Sequence, residues 1–285
     1  MNRKSSDNLS VAVLGLGIMG RAIAQNLEED GLLMATWNRT ACPDAPQYTP
    51  EIKEVLNKAR FLFIVVTDGK AVSYVLNLIK PFLREDHIVV QCSTVMPQEN
   101  IEFSHQVALT NATFVEALLG GSKVAVVSRK LPFYLGGDIK DVKCIEPVLS
   151  GLSSSIIHVG EVGKASVAKL AMNLNLAIQI EALCESYAYA ISNGLDDEQY
   201  FEVLRNNTGW NYLAEYKEPK LRNRDYSPQF SVRNMLKDVK LALATDKTSR
   251  GLTLLKKTRD IYASGEEKGL GDEDMIALLK MIQPE

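Results

Sequence analysis

Val11-Ala12-Val13-Leu14-Gly15-Leu16-Gly17-Ile18-Met19-Gly20 is the stretch that decides the fold. Four apolar residues, the length of a short strand, run into a G-x-G-x-x-G spacing. Residues with helical periodicity then continue to about Asp30, where Gly31 stops them. A glycine spacing alone is weak. One that closes a strand and opens a helix is a dinucleotide-binding fingerprint, against the alternative of a turn that merely needs glycine. In this reading Gly15 permits the tight turn, Gly17 lets the backbone approach a pyrophosphate, and Gly20 lets helix pack closely on strand. The backbone N–H groups of Ile18 and Met19, at the helix start, then face the phosphates.

Working outward, Leu33–Trp37, Phe61–Val66, His87–Cys92, Thr113–Ala117, Pro132–Leu135 and Ser155–Val159 are further strand candidates. Helix-like segments such as Pro50–Ala59 and Val72–Lys80 lie between them. Strand and helix in alternation predict an α/β fold, a Rossmann-type doubly wound parallel sheet covered on both faces. The pattern changes near Gly160. Residues from Gly163 to Asn193 form one long helical stretch ended by Asn193-Gly194, and the remainder is helical in composition. The expected organisation is a dinucleotide-binding domain over 9–161 and an all-helical domain over 162–285.

The second strand leads to Asn38-Arg39-Thr40. Folds that prefer NAD place a carboxylate here, which would repel a 2′-phosphate. A cation and a hydroxyl favour NADP, with NAD possible as a second cofactor; the alternative for Arg39 is an ordinary solvated cation. On the long helix, Lys169 and Asn173 are four residues apart and share one face, about 6 Å apart along the axis. Their neighbours are Ala, Leu and Ile, and an apolar setting favours proton transfer from an ammonium group. From the spacing alone, a lysine snorkelling to solvent is the stronger reading.

Composition excludes several other classes. In 285 residues the formal net charge is −3, which gives no general attraction to nucleic acid or to an anionic membrane. The four cysteines have no metal or redox spacing, and the three histidines pair with no carboxylate or cysteine at ligand distance, so no metal site is expected. Met1–Leu9 is polar, has no apolar signal core and is expected to be a flexible tail. The apolar run around Lys169–Ile191 is interrupted by Lys169, Asn173, Asn175, Glu181 and Glu185, so a buried soluble helix is expected rather than a membrane span. The default location is the cytoplasm.

Several blocks taken together resemble the β-hydroxyacid dehydrogenase family, relatives of 3-hydroxyisobutyrate dehydrogenase. They are Gly15–Gly20, Asn38–Thr40, Cys92-Ser93-Thr94-Val95-Met96-Pro97, Gly120-Gly121-Ser122-Lys123 and Gly163 through Lys169 to Asn173. Leu236-Lys237-Asp238 and Gly269-Leu270-Gly271-Asp272 complete the series. They run in family order over nearly the whole chain, and Asn38-Arg39-Thr40, Gly121-Ser122-Lys123 and Lys237-Asp238 are most similar to the branch reducing glyoxylate and succinic semialdehyde. The resemblance implies a catalytic Lys169, with Asn173 holding substrate. It places Ser93 at the substrate and Thr94 at the nicotinamide, against helix capping as the alternative for both. It makes Gly120, Gly121 and Ser122 a turn for a substrate carboxylate. It brings Lys237 toward the cofactor, against a surface cation. It also implies a small-molecule substrate and at least a homodimer.

The chain departs from the family where Ala-Pro-Val-Ser-Gly becomes Ala117-Leu118-Leu119-Gly120-Gly121, and the loop after it, Val124-Ala125-Val126-Val127-Ser128, is unusually apolar. Those changes fall at the substrate end. They keep open an imine reductase on the same architecture, a branch that generally lacks the lysine. A non-catalytic dinucleotide-binding partner protein is the other alternative; loss of the lysine would support it, and Lys169 is retained.

Overall fold

The computed structural model describes residues 9–283; the polar stretch before Leu9 lies outside them. The chain divides into two compact units, one ending at Lys169 and one beginning at Leu170.

The first unit is built on one seven-stranded sheet of order β2-β1-β3-β4-β5-β6-β7. The strands are β1 (Val11–Leu14), β2 (Leu33–Trp37), β3 (Phe61–Ile64), β4 (Ile88–Gln91), β5 (Thr113–Leu119), β6 (Pro132–Gly136) and β7 (Ser155–Gly160). Helices α1 (Ile18–Glu29), α2 (Ile52–Lys58), α3 (Gly69–Ile79), α4 (Pro97–Ala108), α5 (Lys123–Val127) and α6 (Ile139–Leu149) connect them. The period-2 pattern of the strands sorts side chains onto two faces. Val11, Val13, Phe61, Phe63, Ile88 and Val90 pack with Ile23 and Leu27 of α1 and with Val142, Ile145 and Val148 of α6. Ala12, Leu14, Leu62, Ile64 and Val89 pack with Val55, Val75, Leu76 and Phe103 of α2, α3 and α4. Both faces are therefore covered, as a strand run that is apolar throughout requires.

The sheet is mostly parallel, with one departure at its edge. β1 to β5 are parallel, but β5 pairs with β6 antiparallel and β6 with β7 parallel, so the last two strands run the other way. The link between Leu119 and Pro132 carries the five-residue α5, tied down where the Asn26 carboxamide on α1 donates to the Val126 carbonyl at 2.7 Å.

The second unit is helical. The long α7 (Lys164–Ser192) begins in the first unit and runs into it, followed by α8 (Asp197–Arg205), α9 (Tyr212–Arg222), α10 (Val232–Ala244) and α11 (Thr253–Gly265). Leu170, Asn173, Ala177, Ile180, Cys184 and Tyr187 of α7 recur every three or four residues as one buried stripe. The expectation of a buried helix holds for that face only. By length and composition α7 could cross a membrane, yet only 39% of its most apolar stretch is buried in the chain, and Met172 and Tyr189 are exposed. Lys217 makes a buried ion pair with Asp274 at 2.8 Å, and Asp274 also accepts from the backbone of Gln229.

Glu181, on α7, is buried beside Thr258, whose hydroxyl donates to Oε2 at 3.1 Å, while Oε1 has no hydrogen-bond partner among the described residues. Burial pushes its carboxyl up to about 7; the Thr258 hydroxyl opposes this and the charge of Glu185 adds to it. The folded chain thus holds this proton more tightly than the unfolded chain, so the contribution is full at acidic pH and is lost as pH rises from about 4 through about 7. We expect Glu181→Gln to stabilise the protein by about 1–3 kcal/mol at pH 8 and to give no gain at pH 4. Thermal melts of both proteins across that range check this; a difference independent of pH would contradict it.

Candidate active site

The strand order places a switch point between β1 and β3, which leave their C-terminal ends in opposite directions around the sheet. Ligands of open α/β sheets bind outside such a point. The glycine loop follows β1 there. Gly15 has φ +108°, and a β-carbon on it would lie 2.3 Å from the Val65 carbonyl oxygen just beyond β3. A β-carbon on Gly20 would lie 2.0 Å from the Gly15 carbonyl oxygen. Gly17 is exposed, with nothing within 4 Å of a β-carbon position. Two glycines are thus required by the fold, while the third leaves open space before the first turn of α1. Gly17 is the N-cap of that helix, and its first turn holds no acidic residue. The N–H groups of Ile18 and Met19 and the positive end of the helix dipole suit a phosphate. This cradle fits a dinucleotide.

Asn38 is hydrogen-bonded both to the glycine loop and to its own turn. Its Oδ1 accepts from the Leu16 N–H at 3.0 Å, and its Nδ2 donates to the Thr40 carbonyl at 2.9 Å. The side chain ties the glycine loop to the end of β2. Arg39 and Thr40 are exposed on the same turn. Nearby, Arg21 of α1 pairs with Asp44 at 2.8 Å, a solvated contact of small energetic weight.

At the ends of β3 and β4, the buried Ser93 hydroxyl accepts from the Val66 N–H at 2.9 Å and faces the Ile64 carbonyl at 3.4 Å. It is engaged with the strand ends, and half-buried Thr94 follows it. After β5, the Gly120 N–H donates to the Pro132 carbonyl at 2.7 Å, so it belongs to the sheet. The turn continues through exposed Gly121 to Ser122, the N-cap of α5.

On α7, Lys169 is buried, with 9% of its surface exposed, and Asn173 follows one turn later. Within the second unit, the Asn173 carboxamide donates to Asp238 Oδ2 at 2.6 Å, and the Lys237 ammonium donates to Asp238 Oδ1 at 2.7 Å. Asp238 is buried and sets both neighbours at once. In the sequence its one signal is a carboxylate a helical turn before apolar Leu241 and Ala242.

The different surroundings of the glycines make a direct comparison. We expect Gly17→Val to keep the melting temperature within a few degrees and to weaken dinucleotide binding by roughly tenfold or more, since a side chain then occupies the approach to the phosphates. Gly20→Ala should instead destabilise the fold by about 1–3 kcal/mol through overpacking. Calorimetric melts and fluorescence titrations with NADPH check both; the reverse pattern would contradict these roles for Gly17 and Gly20.

Comparison with known proteins agrees with this geometry. Residues 10–160 match the family model of the NAD-binding domain of 6-phosphogluconate dehydrogenase, and residues 163–282 that of the NAD-binding domain of NADP-dependent 3-hydroxyisobutyrate dehydrogenase. Glyoxylate/succinic semialdehyde reductase 1 of Arabidopsis thaliana is 25% identical, over 96% of this chain and 99% of its own. The mitochondrial 3-hydroxyisobutyrate dehydrogenase of Drosophila melanogaster is also 25% identical, over 97% and 90%. Among solved structures, the 3-hydroxyisobutyrate dehydrogenase of Mycobacterium tuberculosis with L-serine superposes with a TM-score of 0.86 at 24% identity, over 96% of this chain and 99% of that one. Glycine cradle, helical second unit and both family models lead to one conclusion: the chain belongs to the 3-hydroxyisobutyrate dehydrogenase-like β-hydroxyacid dehydrogenases, oxidoreductases that use a nicotinamide dinucleotide.

Proposed function

We propose that this enzyme is an NADP-dependent reductase of a small aldehyde or keto acid, of the glyoxylate, succinic semialdehyde or 3-hydroxyisobutyrate type, working reversibly. The observation that carries the proposal is a buried Lys169 one helical turn from an Asn173 whose carboxamide is oriented by Asp238. When bound, the reduced nicotinamide supplies the hydride that reaches the carbonyl carbon. Lys169 donates a proton to the carbonyl oxygen, and in the oxidation direction it takes that proton back from the hydroxyl. An ammonium group beside a developing alkoxide lowers the barrier twice, by its charge and by its proton. Asn173 uses one N–H on Asp238, which leaves its carboxamide oxygen and a second N–H for the substrate. In the carboxylate turn, Gly121 and Ser122 take the anion-binding role, because the Gly120 N–H is engaged with Pro132.

NADP preference is supported by exposed Arg39 and Thr40 at the end of β2, where no carboxylate stands to repel a 2′-phosphate. A cytoplasmic setting is supported by four free cysteines. Association with a second copy is supported by the exposed apolar residues of α7.

Lys169→Ala should lower kcat by roughly 10²–10⁴, the usual span for general acid–base catalysis, with NADPH affinity nearly unchanged. Lys169→Arg should fail as well, because a guanidinium holds its proton too tightly. Steady-state kinetics with glyoxylate and succinic semialdehyde check this; near-normal turnover in a folded Lys169→Ala protein would remove the lysine from the mechanism. The wild-type protein should bind NADPH more tightly than NADH, and Arg39→Ala should narrow the gap by roughly tenfold, the weight of one charged hydrogen bond. Equal affinities for the two cofactors in the wild type would overturn the NADP assignment.

A further inference from the structure

Glu116 stands in the middle of β5 with no exposed surface, on the sheet face that α4 covers. A carboxylate there costs several kcal/mol in desolvation unless donors surround it. Three do. Its Oε1 accepts from the Asn100 carboxamide of α4 at 2.6 Å and from the Ser166 hydroxyl of α7 at 2.7 Å, and its Oε2 accepts from the Gly163 N–H at 2.6 Å. The fold also makes room for it: Gly136, paired with Glu116 across β5 and β6, would carry a β-carbon 2.3 Å from Oε2.

The chain of bonds continues beyond the carboxylate. The second Asn100 N–H points to Ser166 Oγ at 2.8 Å, and Asn100 Oδ1 accepts from the Gln91 carboxamide at 2.8 Å. Gln91 then holds both backbone polar groups of Ser93, donating to its carbonyl at 2.9 Å and accepting from its N–H. Gln91, Asn100, Glu116 and Ser166 are all completely buried. Each carboxamide N–H in the network has one acceptor, so the donor directions are mutually fixed and both carboxylate oxygens serve as acceptors.

The two ends of this network are the residues that matter to the chemistry. One end is the Ser93–Thr94 turn. The other is the first turn of α7, through Gly163 and Ser166, with Lys169 three residues beyond Ser166 on the same helix. We propose that Glu116 is a positioning residue, which through Gly163 and Ser166 holds the start of α7, and so Lys169, in fixed register with the Ser93–Thr94 turn. Its side chain is completely buried and its carboxylate accepts from Asn100, Gly163 and Ser166. Its action is through the lysine, and the proposal rests on the reading of Lys169 as the acid.

The experiment is a kinetic cycle on the full chain with NADPH and succinic semialdehyde. In Glu116→Gln, the carboxamide presents N–H groups to sites already occupied by donors, which disturbs the register. We expect kcat to fall by roughly 10–100-fold, as for an ångström-scale misplacement of a catalytic group, with NADPH affinity within about threefold of wild type. Ser166→Ala deletes one bond, keeps the charge and should cost roughly 3–10-fold in kcat. In a Lys169→Ala background neither substitution should lower kcat further, because a residue acting through the lysine has nothing left to act on. Independent, additive losses would show a general structural role and overturn the proposal. So would wild-type kcat in Ser166→Ala or in a folded Glu116→Gln protein while Lys169→Ala is slow. Should Lys169→Ala itself turn over normally, the assignment of the acid fails, which is a separate result.

Discussion

The first unit depends on a contact that only glycine allows. A β-carbon at Gly20 would lie 2.0 Å from the Gly15 carbonyl oxygen, and one at Gly15 would lie 2.3 Å from the Val65 carbonyl oxygen. Without those carbons, β1 turns directly into α1, the helix packs down on the strand it follows, and β3 passes close alongside. The helix start is thereby aimed at the crevice beyond β1 and β3, with Gly17 open in front of it. Asn38 locks the arrangement from the other side by holding the Leu16 N–H. Close packing and anion recognition are one feature here: the geometry that removes side chains from the loop also presents backbone N–H groups at the start of α1.

Polar nodes inside the two units organise the remaining chemistry. Glu116 gathers β5, α4 and the first turn of α7, while Asp238 gathers Asn173 and Lys237. In each node a buried carboxylate accepts from donors on separate elements, which offsets its desolvation and fixes side-chain direction more narrowly than apolar packing would. Burial still raises the carboxyl of Glu116, against the pull of Ser166, Asn100 and Gly163. Such groups suit a reaction whose rate depends on where a proton donor sits within a fraction of an ångström.

Much of this was legible in the sequence. The seven strands and the long helix follow from periodicity, and the glycine roles follow from a spacing set between strand and helix. The reversal of β6 and β7 was not legible, because alternation has the same period in either strand direction. The half-exposed face of α7 was also hidden, since apolar composition does not say what covers it. At the site, residue types did not reveal hydrogen-bond partners. Asn38, Ser93 and Gly120 face inward to the backbone, a distinction that depends on residues 22, 27 and 12 positions away. Glu116 left one trace, a carboxylate inside the apolar run Phe114-Val115-Glu116-Ala117-Leu118. Its partners, at 100, 163 and 166, cannot be recovered from local pattern.

The account's central claim is that a dinucleotide seated on the glycine cradle reduces a small carbonyl compound directly. Isotope transfer tests it most plainly. The protein is incubated with NADPH carrying deuterium at the transferable C4 position and with glyoxylate or succinic semialdehyde in ordinary water, and the product is analysed by mass spectrometry. The account predicts a hydroxyacid with one deuterium on the carbinol carbon and none acquired when the label is in the solvent instead. A product labelled from solvent at that carbon, or no reduction of either compound or of related small aldehydes and keto acids, would contradict it.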